Sequence, residues 1–367
     1  MFYSSQRGLS VKLLLSALGT NATMASMRAV VVQQFHELPS MQQVRDPQAP
    51  DRGVVVRVAA TGLCRSDWHA WRGHDPDVVL PHVPGHELVG SIAAVGADVS
   101  GWQVGDRVTV PFVVACGRCE VCRSGQGQVC PHQTQPGFTG WGSFAELVAL
   151  DEADTNLVAV PAGLSDVAAA SLGCRFATSY RALTARGRLE PGEWLSVHGC
   201  GGVGLSAVMI GVALGARVVA VDVSADALEL AVSLGAQVAV RGPHDVPAAV
   251  AQATDGGAHV SIDALGSPQT SADSVLSLRR RGRQLQVGLL PQGAQLPMDR
   301  VIGYELDLLG SHGMAAADYP AMLDLVVSGA LRPDLLVRRT ITLDDVPRAL
   351  ADLDGAPAAP GMTVIVP

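Results

Sequence analysis

Trp194-Leu195-Ser196-Val197-His198-Gly199-Cys200-Gly201-Gly202-Val203-Gly204 decides the class of the fold. A mostly apolar run predicts a short strand over 194–198, G-x-G-x-x-G opens a tight turn, and 205–214 reads as an apolar helix stopped by Gly215. Such a turn lets the backbone approach a pyrophosphate, whose charge the helix N-terminus stabilises. The glycine pattern alone is weak, but a second strand, over 217–221, follows the helix and ends at Asp222. Asp222 lies 23 residues after Gly199, near the offset of about 20 at which an acidic side chain binds the ribose hydroxyls of a dinucleotide. A carboxylate there repels a 2′-phosphate, and Val223-Ser224-Ala225 offers no arginine to offset it, which favours NAD over NADP. The plainer alternative for Asp222 is a helix cap or an exposed turn, although Ser224 already fits as the cap of a helix over 225–234.

The same texture continues: strand 236–240, helix 246–253, strand 260–264, helix 269–278, then strands 283–287 and 306–310. Alternating strands and helices predict a doubly wound parallel sheet in a dinucleotide-binding domain over 177–313. Arg279-Arg280-Arg281 reads as a solvated cap at the end of its predicted helix, where positive charge suits the helix dipole. Beyond it come a helix over 319–328, a strand near 338–342, a helix over 343–353 and a last strand over 362–366.

Upstream, strands over 29–33, 53–60 and 87–95 are rich in β-branched residues and bounded by turn formers. They predict a β-rich, partly closed barrel whose loops carry the chemistry. Two such stretches stand out, Cys64-Arg65-Ser66-Asp67-Trp68-His69 and Pro84-Gly85-His86-Glu87. If Cys64 and His86 bind zinc, a third protein ligand must come from elsewhere. Cys116-x2-Cys119-x2-Cys122-x7-Cys130 is a separate set; four thiolates at that spacing close a tetrahedral structural zinc site. Loose thiols there would be an oxidation liability, and a nucleic-acid-binding ribbon is poorly served by Arg118 and Arg123 alone.

Length and composition agree with this division. At 367 residues the chain suits two domains, and its 48% apolar content with 40 glycines is an α/β composition. A net charge of -8 argues against nucleic acid as a partner. Seven cysteines, four of them in one metal-ligand cluster, suit a reducing, cytoplasmic compartment. No apolar run reaches the roughly 20 residues needed to span a membrane. Residues 1–26 carry Arg7, Lys12 and several serines but no acidic group. They read as an extension, disordered or not native, outside the fold, with a targeting segment as the alternative.

Taken in order, these motifs from Met27 to Pro367 resemble the zinc-dependent alcohol dehydrogenases of the medium-chain dehydrogenase/reductase family. The resemblance implies a GroES-like catalytic domain over 27–176 and 314–367, joined to a Rossmann domain. It makes Cys64, His86 and Cys174 the catalytic zinc ligands, with Glu87 near the metal and Asp67 orienting the imidazole. Ser66 and His69 match a proton relay, Arg65 a contact to the cofactor pyrophosphate, and Thr178 a position near the nicotinamide. Gly199, Gly201, Gly202, Val203, Gly204 and Asp222 then cradle NAD, and each chain holds two zinc ions. The implied reaction is reversible oxidation of a primary or secondary alcohol to an aldehyde or ketone, in a homodimer or homotetramer.

Alternatives stay open beside that reading. Cys174 also reads as a compact core residue, and Trp71, Phe112 and Trp141 as pocket walls or core. The same scaffold serves polyol, amino-alcohol or glutathione-adduct dehydrogenases. A noncatalytic nucleotide-binding protein would have no need of an open zinc position and a relay. Two departures from the family pattern stand out. Arg175 and Phe176 follow Cys174 where many relatives place smaller residues, and Gly361-Met362-Thr363 lacks an arginine that some members use against the cofactor phosphates, leaving more of that task to Arg65.

Overall fold

Strand Trp194–His198 lies in the middle of a six-stranded parallel sheet, in the computed structural model that describes residues 25–291, 293–355 and 360–367. On one side of it stand Arg217–Asp222 and then Val238–Arg241; on the other stand Ala258–Asp263, Leu278–Gln286 and Asp307–Gly310. The strand order reverses between Trp194–His198 and Ala258–Asp263, which opens a crevice at their C-terminal ends. Leu195, Val197, Val218, Val219, Val260 and Ile262 are all buried, so these strands read as continuous apolar runs covered on both faces.

The helix after the glycine turn runs Gly202–Ala213, beginning inside the G-x-G-x-x-G motif rather than after it. The arginine triplet departs further from expectation. Helix Pro268–Leu276 stops before it, and Arg279, Arg280 and Arg281 lie in strand Leu278–Gln286. Leu278 is fully buried and pairs with Ala258, so sheet pairing overrides the local helical pattern. The three guanidinium groups reach His259, the Gly303 carbonyl and Glu305 instead of capping a helix. Helix Met298–Tyr304 has no buried residue and carries no apolar period from which to read it.

The second large sheet runs Val337–Thr342, Met362–Val366, Val54–Leu63, Glu87–Val95, Arg107–Thr109, Val158–Ala159, with Leu147–Leu150 added beside Val54–Leu63. The C-terminal strand pairs antiparallel with Val54–Leu63, so the end of the chain completes the sheet begun near its start. Ser26–Val31 pairs with Ser40–Arg45 in a small sheet of its own. Of the extension expected over 1–26, residues 1–24 lie outside the described residues, and Ser26 already belongs to this strand.

Three junctions position the site. Cys64 ends strand Val54–Leu63 and caps helix Arg65–Trp71, so Ser66, Asp67 and His69 stand on a helix where a loop was expected. Glu87 opens strand Glu87–Val95, and His86 precedes it. Cys174 lies in a widened helical turn, Leu172–Phe176, which continues into Ala177–Arg181 against the dinucleotide helix.

Candidate active site

Cys64, His86, Glu87 and Cys174 bring one ligand atom each to within 4.8 Å of one another. Asp67 arranges this meeting. Its Oδ2 accepts the Cys64 N–H at 2.8 Å, while its Oδ1 accepts the Gly85 N–H at 3.1 Å and the His86 Nδ1–H at 2.9 Å. Fixing the proton on Nδ1 turns the Nε2 lone pair towards the thiols, and among the described residues that buried Nε2 has no hydrogen-bond partner. An orphaned imidazole nitrogen facing two cysteines fits a soft or borderline cation. Cys2His is the combination that characterises the catalytic zinc of alcohol dehydrogenases as a class.

The buried groups of this pocket share their charge among themselves. A hydrogen bond from Cys174 pulls the Cys64 thiol well down against burial, and the same hydrogen bond, then burial and the Cys64 charge, push Cys174 up. Burial opposes the charge on His86, but Asp67 overcomes it and holds the imidazole up. Burial also pushes the Glu87 carboxyl up, against the pull of Arg175. Arg175 stays charged at any ordinary pH and lies in salt-bridge contact with Glu87 in this buried pair.

A second cluster lies apart. The sulfurs of Cys116, Cys119, Cys122 and Cys130 form a compact group, with Cys119–Cys122 at 3.4 Å and Cys116–Cys130 at 3.5 Å. None is in a disulfide. The His132 N–H points at the Cys130 sulfur at 3.3 Å, and the Arg118 backbone N–H draws Cys116 down to about 6, favouring a thiolate there, while burial pushes Cys122 up to about 12.

The glycine turn packs against the helical turn that carries Cys174. Gly199 takes a left-handed φ of +92°, and a Cβ on Gly204 would strike the Gly199 carbonyl, so the turn closes only on glycine at both places. Asp222 Oδ2 accepts the Cys200 N–H at 2.6 Å and its Oδ1 accepts the Ser224 N–H at 2.8 Å, holding the acid beside the turn. Ser179 ties the two halves of the site together: its hydroxyl lies 2.8 Å from the Val203 carbonyl and 2.9 Å from that of Arg175.

Comparison with known proteins agrees with this geometry. Residues 50–162 match the alcohol dehydrogenase GroES-like domain, and residues 202–328 match the zinc-binding dehydrogenase domain. An alcohol dehydrogenase of Geobacillus stearothermophilus is 35% identical over 87% of this chain and 95% of its own. The chain belongs to the zinc-type alcohol dehydrogenases. Two solved structures superpose closely. A short-chain alcohol dehydrogenase of E. coli CFT073 complexed with NADH has a TM-score of 0.84 at 25% identity, covering 93% of this chain and 99% of the other. A zinc-binding dehydrogenase of Sinorhizobium meliloti 1021 bound to NADP has a TM-score of 0.84 at 27% identity, covering 94% and 100%.

As a zinc alcohol dehydrogenase, the enzyme is an oxidoreductase that combines zinc with a nicotinamide cofactor and acts on small-molecule alcohols. Its sequence-predicted residues fall into place unevenly. Ser66 Oγ stands 3.7 Å from Cys64 Sγ, at the edge of the metal pocket. Among the described residues no hydrogen bond joins it to His69, whose Nδ1 instead meets His74 Nδ1 at 3.0 Å. Burial, then the charges of His74 and Arg65, lower the His69 pKa, leaving a neutral ring able to take a proton. Thr178 is buried on helix Ala177–Arg181. Arg65 is exposed and turned away, donating to the Leu353 carbonyl at 2.5 Å.

Of the aromatic residues, Phe112 and Phe138 flank the His86 ring at centroid distances of 6.2 and 5.1 Å. Trp71 belongs to the core instead and bonds the Glu37 carbonyl. Trp141 is exposed. Sequence reasoning missed Phe138, Ser179 and Tyr319, whose hydroxyl donates to the Gly173 carbonyl beside Cys174. No signal marks them, because each acts through a neighbour remote in the chain.

Proposed function

We propose an NAD-preferring alcohol dehydrogenase carrying two zinc ions per chain, one on Cys64, His86 and Cys174 and one on Cys116, Cys119, Cys122 and Cys130. The observation that carries the reading is the buried His86 Nε2, without a partner, beside two thiols and held there by Asp67. When bound, zinc supplies the Lewis acidity that lets an alcohol ionise near neutrality, and the nicotinamide supplies the hydride acceptor.

The chain's own residues do the rest. Asp67 fixes the His86 tautomer and holds the Cys64 backbone. Ser66, at the pocket edge, is placed to take the substrate proton; His69, not hydrogen-bonded to it and kept neutral by burial, is the base from which a proton leaves towards His74 and solvent. Gly199, Gly201, Gly202, Val203 and Gly204 present the turn to the dinucleotide phosphates, and Asp222 selects the unphosphorylated ribose. Thr178 supports the nicotinamide end. Glu87 stands by as a carboxylate next to the metal.

A catalytic unit over 27–176 and 314–367 and a dinucleotide-binding unit over 177–313 fit the two sheets. The edge strand Asp307–Gly310, with exposed Met298 and Ile302 beside it, suits a homodimer or homotetramer. The unpaired cysteines suit the cytoplasm.

Metal analysis together with NAD-linked oxidation of short primary, secondary and aromatic alcohols tests the proposal. Two zinc ions per chain and alcohol-dependent NAD reduction are expected. A single zinc, with Cys174→Ala as active as the parent, would sink it.

A further inference from the structure

A buried guanidinium is tolerated only where something holds its charge. Arg175 is 6% exposed and sits one residue past Cys174, in the widened turn Leu172–Phe176. Glu87 holds it from one side. Arg175 Nε donates to Oε1 at 2.9 Å and to Oε2 at 3.1 Å, Nη2 donates to Oε2, and the backbone N–H donates to Oε1 at 3.0 Å. These contacts engage Nε and Nη2. Among the described residues, no group accepts a hydrogen bond from Nη1.

The free nitrogen points at the dinucleotide turn. A Cβ built on Gly202, the first residue of helix Gly202–Ala213, would lie 2.5 Å from Arg175 Cδ, 3.1 Å from Nη1 and 3.3 Å from Nε. The Arg175 side chain therefore lies against Gly202, in the space a Cβ would take, at the start of the helix. A Cβ on the neighbouring Gly201 would meet nothing within 4 Å, so the turn is open next to this charge. Meanwhile Arg65 is stacked on Trp68 and bonded to Leu353, and residues 361–363 carry no cation.

We propose that Arg175 binds the cofactor, donating from Nη1 to the dinucleotide pyrophosphate at Gly202 while Nε and Nη2 hold Glu87 beside the zinc ligands. One side chain thus joins the phosphates of the hydride carrier to the carboxylate of the metal pocket. Glu87 also offsets part of the Arg175 charge that the pyrophosphate would otherwise meet in full. The proposal rests on the reading of this chain as a nicotinamide-dependent dehydrogenase.

Calorimetric titration of the zinc-loaded protein with ADP-ribose, and with adenosine by competition, separates the pyrophosphate contact from the rest of the cradle. Arg175→Gln is expected to weaken ADP-ribose roughly ten- to hundredfold, the range of a charge-assisted hydrogen bond, with adenosine unchanged. Glu87→Gln, which leaves the arginine charged and no longer offset, is expected to bind ADP-ribose as tightly as the parent or more tightly. The double variant Glu87→Gln/Arg175→Gln leaves no lone buried charge, so its fold is spared that strain; it is expected to bind ADP-ribose as weakly as Arg175→Gln.

Parental ADP-ribose affinity in Arg175→Gln would overturn the proposal. So would equal losses of ADP-ribose and adenosine in both single variants, which mark a purely structural pair. Failure of the parent to bind either ligand would overturn the dehydrogenase reading along with it.

Discussion

Asp67 and His86 lie 19 residues apart in the chain, yet Asp67 Oδ1 meets His86 Nδ1 at 2.9 Å with both side chains fully buried. The same carboxylate restrains the Cys64 backbone, so a single side chain sets the angle between two metal ligands on different elements. Removing it frees the imidazole to rotate and to change tautomer. Asp67→Ala is expected to lower zinc affinity at this cluster by roughly 10–100-fold, the usual cost of losing such support. Chelator competition should show one weakened ion per chain and one unchanged; two ions held as in the parent would show that the contact does not serve the metal.

The four-cysteine cluster calls for a different readout. Cys116 and Cys130 are buried and their sulfurs are packed together without a disulfide, so a zinc ion bound there would close the segment around Glu120–Arg123 in place of an apolar core. Cys122→Ser is expected to lose that ion and to lower the apparent melting temperature by about 5 °C or more. An unshifted melting curve would exclude a structural metal.

His198 is expected to make the protein's stability fall in acid. It is buried on the central strand beside Ser196, and burial lowers its pKa to about 3. The unfolded chain binds a proton on this ring below about pH 6.5, and the folded chain does not. Folding stability therefore falls as the pH drops from about 6.5 towards about 3, by roughly 1.4 kcal/mol per unit. Denaturant titrations of parent and His198→Gln at pH 7 and pH 5 should differ in their pH response by about 2 kcal/mol. Identical responses would show that another group carries the acid sensitivity.

Asp222 is the residue expected to choose between the two nicotinamide cofactors. Its carboxylate is pinned by the amides of Cys200 and Ser224 beside the turn, where a 2′-phosphate would meet an unoffset negative charge. Asp222→Gly is expected to weaken NAD about tenfold and to raise the relative affinity for NADP. Fluorescence titration with both cofactors checks this, and an unchanged ratio would remove the ribose role.

Much of the architecture is legible in the chain because its signals are local. Apolar runs between glycines mark the six parallel strands, and the boundaries move by only a few residues in the structure. The arginine triplet is the clear miss. A run of charge after an apolar helix looks like a cap, but Leu278 is worth more buried against Ala258 than exposed at a helix end, and the strand starts there. The helix carrying Ser66 and His69 is short, and a seven-residue segment with Trp and His has little intrinsic preference. The Asp67 cap at Cys64 and packing against the chain's C-terminal part stabilise it.

For the metal sites the division is sharper. The four cysteines between Cys116 and Cys130, and the glycine turn with its acid, are specified by spacing, since residues so close in sequence are brought together by chain continuity alone. Cys174 is different. It lies 88 residues beyond His86 and is legible as a ligand only through family resemblance. Arg175 is more hidden still, because in sequence it is simply a large residue where a small one is usual. Which way its side chain points depends on a widened helical turn packed between Glu87 and Gly202. No local pattern encodes that direction. Sequence by itself determined which chemical groups this protein carries and how each half folds; tertiary packing alone decided that a guanidinium stands between its zinc ligands and its cofactor turn.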